Sequence, residues 1–261
     1  MDVRLDNKTA LITGGSLGLG RAMATEFARS GAAVVILGRT QSTLDEAVAS
    51  IGAVAPEAQV VGLACDVRDA AALSAAHADA VKAVGAIDIL VNNAGTSAAK
   101  PFEQITDDDW QNDFDLKLLA AARLARLCIP AMKEQHWGRI INVLNTAAKA
   151  PPAKSAPTSV SRAAGMALTK VLASEFAADG ILVNALNTGI LVTNQWHRMH
   201  TEQMPDKTFE EFLASRAKAV PLGRMGDAAE FANMACFLAS DKAAFITGTA
   251  INVDGGMSPV V

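Results

Sequence analysis

The stretch TGGSLGLG, Thr13 to Gly20, is the strongest indication of the fold in this sequence. It directly follows a short apolar run, TALIT, and opens a segment whose apolar residues recur at helical spacing. Glycines at 14, 18 and 20 allow a tight turn and the close approach of a pyrophosphate, whose charge suits the free N–H groups of a helix N-terminus. The alternative is a tight strand-to-helix turn that binds nothing. Because the turn joins a strand to a helix near the start of the chain, we favour a site that binds the pyrophosphate of a dinucleotide.

Outward from this turn, short apolar runs alternate with longer segments of helical periodicity. Continuous apolar strands between helices indicate a parallel sheet that is buried on both faces. We therefore predict a doubly wound α/β fold with about seven strands and helices on both faces. The predicted strands are TALIT, AAVVILG, AQVVGLA, IDILVN, RIINVL, ILVNAL and AINV, and the predicted helices are Arg21–Ser30, Thr43–Ile51, Asp69–Val84, Asp107–Met132 and Ser159–Ala178.

Composition limits the class of protein. The 261 residues are 51% hydrophobic and 19% charged, which suits one α/β domain over residues 1–261 with a sizeable core. The net charge of −4 comes without a basic stripe, so no nucleic-acid partner is expected. Three separated cysteines fit neither a disulfide framework nor a metal site, and they suit a reducing cytoplasm. No signal peptide or membrane span is expected.

Residues 190–222 depart from the strand and helix alternation. This segment mixes polar and aromatic residues, includes His197 and His200, and follows the sixth predicted strand. A long insertion at the carboxyl end of a strand is typical of a lid over the ligand crevice, which is the interpretation we favour. The alternative is a surface excursion or a contact between subunits.

Four motifs spread along the chain carry a family resemblance. They are the TGxxxGxG turn, Asp66-Val67 after the third strand, NNAG at 92–95 and INVDGG at 251–256. Together they resemble the short-chain dehydrogenase/reductase family. The resemblance implies a Rossmann-type domain that binds a nicotinamide dinucleotide, and a homotetramer or dimer built through the long helices, including the one near Ser159.

The resemblance also assigns cofactor contacts by position. Asp66 and Val67 would flank the adenine, while Asn93 would line the ribose side and could at the same time tie neighbouring strands together. The family usually has Pro-Gly where this chain has Thr188-Gly189. The full set of cofactor-binding residues implied is Gly14, Ser16, Gly18, Leu19, Gly20, Arg39, Asp66, Val67, Asn93, Ala94, Gly95, Arg162, Gly189, Ile190 and Thr193.

The end of the second strand indicates which dinucleotide binds. An acidic residue there would hydrogen-bond a ribose 2′-hydroxyl and repel a 2′-phosphate. This strand ends in Leu37-Gly38-Arg39-Thr40, and Arg39 can pair with a phosphate. We therefore predict NADP(H) over NAD(H). An exposed arginine at a helix start, with no bearing on the cofactor, is the alternative.

The reaction centre departs from the resembled family at four positions. Catalytic members typically use an Asn, a Ser, a Tyr and a Lys, but this chain contains no tyrosine. Register places Thr158 and Arg162, in SAPTSVSRAAG, at the Tyr and Lys positions. Asn145, thirteen residues before Thr158, takes the Ser position, and Lys117, seven after Trp110, takes the Asn position.

The replacements differ in what chemistry they allow. Arg162 can stabilise negative charge but cannot relay protons, and Asn145 can polarise a carbonyl. Thr158 alone is too weak an acid. Lys117 could donate a proton if desolvation and Arg162 lowered its pKa, although we favour a charge that reaches a solvated cleft. His197, His200 and a bound water are further candidate acids, and surface histidines are the alternative.

Three functions follow from these features. The first is an NADP(H)-dependent oxidoreductase of a carbonyl or alcohol with a nonstandard proton donor. The second is a catalytically impaired dinucleotide-binding sensor or partner subunit. The third is a lyase or isomerase that uses Lys117 and Arg162. We rank them in this order, because the cofactor motifs are intact.

Overall fold

A computed structural model of the chain describes residues 2–261, with the side chains of residues 194, 195, 197 and 198 excepted. The main sheet has seven parallel strands, which are β1 (Thr9–Thr13), β2 (Ala33–Gly38), β3 (Val60–Ala64), β4 (Ile89–Asn92), β5 (Gly138–Asn145), β6 (Ile181–Thr188) and β9 (Ala250–Val253). Their order across the sheet is β3-β2-β1-β4-β5-β6-β9. The prediction of a seven-stranded doubly wound sheet is confirmed.

The helices connect these strands on both faces of the sheet. They are α1 (Gly18–Arg29), α2 (Gln41–Gly52), α3 (Ala70–Val84), α4 (Asp107–Phe114), α5 (Ala120–Gln135), α6 (Thr158–Phe176), α7 (Asn194–Gln203), α8 (Phe209–Ala217) and α9 (Ala228–Ala239). Two short strands, β7 (Leu191–Val192) and β8 (Gly226–Asp227), form a separate parallel pair. No helix in the described part of the chain is long and apolar enough to cross a membrane.

Alternation along the central strands divides the core into two halves. On β1, Ala10 and Ile12 pack with Phe27 and Phe231 on the α1 and α9 side. Leu11, between them, packs with Leu124 on the α5 side. Because successive side chains of a strand point to opposite faces, continuous apolar strands need helices on both sides.

The strand order reverses beside β1, which lies between β2 and β4. The loops after β1 and β4 therefore diverge and leave a crevice at the carboxyl ends of the strands. The glycine turn and the NNAG motif lie in these two loops, so the topology brings the two sequence motifs together.

All the predicted helices are present with boundaries shifted by up to three residues, and two of the differences affect the site. The expected single helix Asp107–Met132 is α4 and α5 joined through a π-helical segment, Asp115–Leu119. Such segments add a residue to the helical ladder and occur frequently at functional sites. The second difference is at α6, which begins at Thr158 rather than Ser159, so Thr158 lies in the first helical turn.

Candidate active site

The glycine turn forms a cradle at the start of α1. Gly14 and Gly18 have φ angles of +64° and +53°, a left-handed region that favours glycine. A Cβ on Gly20 would collide with the Gly14 carbonyl oxygen and lie 2.6 Å from the Asn93 amide nitrogen. Leu17, at the N-cap, makes no side-chain capping bond, so the first N–H groups of α1 remain available to an anion.

Asn93 connects the cradle to the loop after β4. Its Nδ2 donates to the carbonyl oxygen of Thr13 at 2.8 Å and to that of Gly14 at 3.2 Å. Thr13 Oγ1 in turn accepts from the backbone N–H groups of Asn93 and Ala94, both at 2.9 Å. The structural alternative for Asn93 is therefore confirmed, since its amide holds the two sides of the crevice together.

An open cleft of about 590 Å³ runs along the carboxyl ends of the strands. Its walls bring together all but one of the residues predicted to bind the cofactor. Ile190 is the exception, because it is not among the residues that line the cleft. Those that do are Gly14, Ser16, Gly18, Leu19, Gly20, Arg39, Asp66, Val67, Asn93, Ala94, Gly95, Arg162, Gly189 and Thr193.

Positive charge lies at the far end of this cleft, where β2 and β3 end. Arg39 is exposed there, and Arg68 lines the same wall. Arg68 pairs with Asp66 at 2.6 Å, and this hydrogen bond holds the pKa of the Asp66 carboxyl below its usual range. Since Asp66 is neutralised by Arg68, Arg39 remains the cation without an ion pair among the described residues at this end of the cleft.

The cleft fits a dinucleotide. It combines a glycine cradle that a Cβ would fill, uncapped N–H groups for a pyrophosphate, and Arg39 at the position where a 2′-phosphate would lie. The residues that would hold the group are those of the turn, the loop after β4 and the end of β2. None of these features requires a metal ion.

Thr158 lies at the opposite end of the cleft. It belongs to the first turn of α6 and lines the cleft wall. Its Oγ1 accepts a hydrogen bond from the Ala98 N–H at 2.9 Å and lies 3.1 Å from Lys117 Nζ. A hydroxyl has two acceptor lone pairs and one hydrogen. Both lone pairs are occupied by these donors, so the hydroxyl hydrogen is left for an acceptor in the cleft.

Lys117 lies behind Thr158, in the π-helical segment. Its ammonium forms an ion pair with Asp113, and the two side chains are only 1% and 2% exposed. Ser161 Oγ donates to the other oxygen of that carboxylate at 2.6 Å. The interpretation of Lys117 as a charge in a solvated cleft is therefore wrong, because the side chain is buried and points to the carboxylate and the Thr158 hydroxyl.

Burial changes the acidity of the two cations at this end. It lowers the pKa of Lys117 to about 8, an effect that the positive charge of Arg162 adds to and that Asp113 opposes. Burial also lowers the pKa of Arg162 to about 10. Lys117 is thus close to the point at which an ammonium can release a proton near neutral pH, whereas Arg162 stays charged.

Arg162 and Asn145 complete the wall beside Thr158. Arg162 Nη1 donates to the Val143 carbonyl oxygen, and a Cβ on Gly95 would collide with its Nη2. Arg162 Nε and Asn145 Oδ1 are buried without a hydrogen-bond partner in the described structure. Buried polar atoms without partners are uncommon, and these two lie in side chains that line the cleft.

The segment predicted as a lid contains β7, α7 and α8. Trp196 lines the cleft, and its ring lies 6.1 Å from that of Phe212, which is fully buried. His200 lies 2.7 Å, through Nε2, from the Lys207 carbonyl oxygen and is not among the cleft-lining residues. This placement speaks against His200 as the acid. The side chain of His197 lies outside the described residues.

Sequence reasoning missed Asp113 and Ser161. The spacing of Asp113 and Lys117, four residues apart, is the signal that could have found the ion pair, because such residues face each other on a helix. Ser161 is three residues after Thr158, and only the packing of α6 against α4 shows what its hydroxyl contacts.

Comparison with known proteins agrees with this geometry. A family model described as enoyl-(acyl carrier protein) reductase matches residues 14–258. A 3α-hydroxysteroid dehydrogenase from Mediterraneibacter gnavus is 34% identical over 255 residues, which is 98% of each chain. An L-sorbose reductase from Gluconobacter frateurii, solved with NADPH and L-sorbose, superposes with a TM-score of 0.96 at 34% identity over 100% of both chains.

A further solved relative has an unusual site. It is an NADPH-bound short-chain oxidoreductase from Pseudomonas aeruginosa PAO1, described as containing an atypical catalytic center. It superposes with a TM-score of 0.92 at 32% identity over 99% of both chains. With this fold, this cleft and these relatives, the chain belongs to the short-chain dehydrogenase/reductase family, and its relatives are oxidoreductases.

Proposed function

We propose that this protein is an NADP(H)-dependent oxidoreductase that interconverts a carbonyl and an alcohol with a nonstandard proton donor. One observation carries the proposal. The Thr158 hydroxyl has both lone pairs occupied, by the Ala98 N–H and the Lys117 ammonium, and lines the cleft that holds the dinucleotide cradle. Such a hydroxyl can only donate into the cleft, which suits a carbonyl oxygen.

The proton in this proposal originates on Lys117. Thr158 gives its hydroxyl hydrogen to the substrate oxygen as it takes one from the Lys117 ammonium, so Lys117 ends as a neutral amine. A bound NADPH would supply a hydride to the carbonyl carbon. Threonine alone is a poor acid, because the loss of its proton would leave a charged alkoxide. In this relay Thr158 receives a proton from Lys117 as it gives one away, so no alkoxide forms. Reprotonation follows through the same hydroxyl after the product leaves.

Arg162 and Asn145 have supporting tasks. Arg162 would hold the nicotinamide ribose and stabilise negative charge that develops on the substrate oxygen. Asn145 can present its amide NH₂ to the same oxygen. Neither moves a proton. Lys117, Asn145, Thr158 and Arg162 thus take over the places of the family's Asn, Ser, Tyr and Lys.

The choice of NADP(H) rests on Arg39. An exposed guanidinium at the end of β2, which forms no ion pair in the described structure because its neighbour Asp66 pairs with Arg68, favours a 2′-phosphate. The NADPH-bound relatives support the same choice. The hydroxysteroid dehydrogenase and the sorbose reductase support a ketone or a secondary alcohol as substrate.

We also propose a homo-oligomer, with α6 at the interface, and a cytoplasmic location. Val160 and Val171 on α6 are 44% and 58% exposed, which is apolar surface that a second copy could cover. The three cysteines are buried free thiols, which suits a reducing compartment. Residues 190–222 would act as a lid, with Trp196 against the substrate.

Titration with NADPH and NADH, followed by turnover on a panel of ketones, ketoses and 3-oxosteroids, tests the proposal. We expect NADPH to bind at least tenfold more tightly than NADH and to be consumed with at least one panel member. The triple variant Thr158→Tyr, Arg162→Lys, Asn145→Ser is the comparison. Turnover that appears only in this variant would mean that the natural chain has lost the chemistry.

A dinucleotide-binding sensor or partner subunit is the second candidate. This function is favoured by the fixed position of Arg162. Its guanidinium donates a hydrogen bond to the Val143 carbonyl oxygen and packs on Gly95. Such a residue serves binding and not proton transfer. Tight NADPH binding without turnover, together with copurification of an active relative, would favour this function.

A further inference from the structure

The ion pair behind Thr158 belongs to a ring of contacts among four buried residues, in which the contact between Ser161 and Thr158 runs to the Thr158 backbone carbonyl. With the backbone included, Asp113 is 3% exposed, Lys117 7%, Thr158 6% and Ser161 1%. The ring joins α4, the π-helical segment and the first turn of α6. These four polar side chains come from three elements and are shielded from water. Such a buried network is stable only when each polar group keeps its hydrogen-bond partners.

Each contact in the ring has a defined direction. Lys117 donates to Asp113 Oδ1 and, at 3.1 Å, to Thr158 Oγ1. Ser161 donates at 2.6 Å to Asp113 Oδ2, while the Thr158 carbonyl oxygen lies 3.0 Å from the same hydroxyl. A serine has one hydrogen to give, and the shorter bond to a charged acceptor is the stronger one. The Ser161 hydrogen is therefore assigned to Asp113.

We propose that Asp113 and Ser161 are positioning residues, Ser161 fixing the Asp113 carboxylate and Asp113 holding the Lys117 ammonium against Thr158 Oγ1. This inference rests on the proposed function, in which Lys117 supplies the proton. Neither residue touches the cleft, since neither is among the residues that line it. Both act through Lys117.

The carboxylate has two effects on Lys117. Its position on one side of the ammonium directs a second N–H toward Thr158, which is the geometry that a relay needs. Its charge also opposes the desolvation that favours the neutral amine. The other charge that faces Lys117 is Arg162 on α6, which acts in the opposite direction. Without Asp113, burial and Arg162 would act unopposed and shift Lys117 toward the neutral amine.

Ser161 limits how the carboxylate can move. A carboxylate whose second oxygen has lost its donor is free to rotate and is less well stabilised in its charged form. The Ser161→Ala variant should therefore weaken the hold on Lys117 without removing the charge. Ser159 is a matched control, because it is also buried on α6 and its Oγ pairs with Ser155 rather than with the ring.

The test measures Lys117 directly and does not depend on turnover. The protein is labelled with ¹³C at the lysine ε-carbon, the Lys117 signal is assigned with Lys117→Met, and its shift is followed against pH. We expect a midpoint near 8 in the wild type. Asp113→Asn should lower this midpoint by about one pH unit or more. Ser161→Ala should lower it by a smaller, measurable amount, and Ser159→Ala should leave it unchanged.

The pH profile of kcat/KM for carbonyl reduction is the second readout. The active form of Lys117 is the ammonium, so activity should fall as pH rises through its pKa, and the midpoint of this fall should follow the NMR midpoint in each variant. A midpoint in Asp113→Asn and Ser161→Ala equal to that of the wild type would overturn the inference, as would equal shifts in Ser161→Ala and Ser159→Ala.

The two readouts separate the inference from the function beneath it. Absence of turnover in the wild type would contradict the proposed function, while the NMR midpoints would still decide whether Asp113 and Ser161 control Lys117. If Asp113→Asn does not fold, Ser161→Ala keeps the carboxylate and carries the test alone.

Discussion

Thr158→Val is the perturbation that addresses the proposed proton route most closely. Valine keeps the β-branched shape and replaces the hydroxyl with a methyl group. The Ala98 N–H and the Lys117 ammonium then each lose an acceptor that lies 2.9 and 3.1 Å away. Losing the partner of a buried donor costs about 1–3 kcal/mol, so the variant should be less stable by roughly 2–6 kcal/mol.

Part of that loss is offset, because Lys117 keeps Asp113. We therefore expect the lower half of the range, about 2–4 kcal/mol, which corresponds to a fall in melting temperature of roughly 4–16 °C. The effect on turnover should be larger than the effect on binding. Removal of the group that passes the proton should lower kcat for carbonyl reduction by about 10²–10⁴, while the Kd for NADPH stays within a few-fold of that of the wild type.

Stopped-flow NADPH oxidation measures kcat, fluorescence titration measures the Kd, and calorimetry measures stability. Thr158→Ser is the matched control, because it keeps Oγ and both incoming hydrogen bonds and should retain kcat within about threefold. A Thr158→Val enzyme with a kcat within threefold of that of the wild type would refute the route through this hydroxyl. Equal losses in the Ser and Val variants would refute it as well.

Further predictions address the cofactor cleft and the charges. Gly20→Ala should weaken NADPH binding at least tenfold, since its Cβ would collide with the Gly14 carbonyl oxygen. Gly52→Ala is the control, because nothing lies within 4 Å of the added carbon, and it should leave the Kd for NADPH unchanged. Arg39→Ala should raise the Kd for NADPH by roughly 10- to 100-fold and leave that for NADH nearly unaltered, because one charge-assisted contact is worth about 1.5–3 kcal/mol; equal losses for both cofactors would contradict the assignment. For pH, reduction should decline and alcohol oxidation should rise through about 8, since Lys117 must be charged for one direction and neutral for the other; parallel profiles in the two directions would exclude Lys117.

Much of the fold could be predicted from the sequence, for a physical reason. Strands buried on both faces are apolar throughout, and the helices between them show their own period, so the sheet was predictable. The π-helical segment was not, because one extra residue rotates the following side chains by about 100° around the helix axis, and a single such shift within 107–132 does not stand out from the ordinary irregularity of an apolar stripe. Its effect is local but important, since it places Lys117 where it meets both Asp113 and Thr158.

The cofactor cleft could likewise be predicted from the sequence, whereas the arrangement of the reaction centre could not. The glycine turn, Asn93 and Arg39 follow strands directly, and strand ends meet at one edge of a parallel sheet, so their assembly could be expected. The surroundings of Lys117 include Thr158 and Ser161 of α6, which are distant from Lys117 in sequence. A lysine is exposed far more often than buried, and that general preference led to the wrong expectation for this one. Only its partner four residues earlier carried a sequence signal.

Deuteride transfer from NADPH to a ketone measures whether this protein reduces carbonyl groups. The protein is mixed with a ketone panel and NADPH that carries deuterium at the transferable position of the nicotinamide, and each product alcohol is analysed by mass spectrometry. An NADP(H)-dependent oxidoreductase yields at least one alcohol with one deuterium at the former carbonyl carbon, and Thr158→Val yields far less of it in the same time. Firm NADPH binding with no deuterium in any product would contradict the account and identify the chain as a dinucleotide-binding protein without this chemistry.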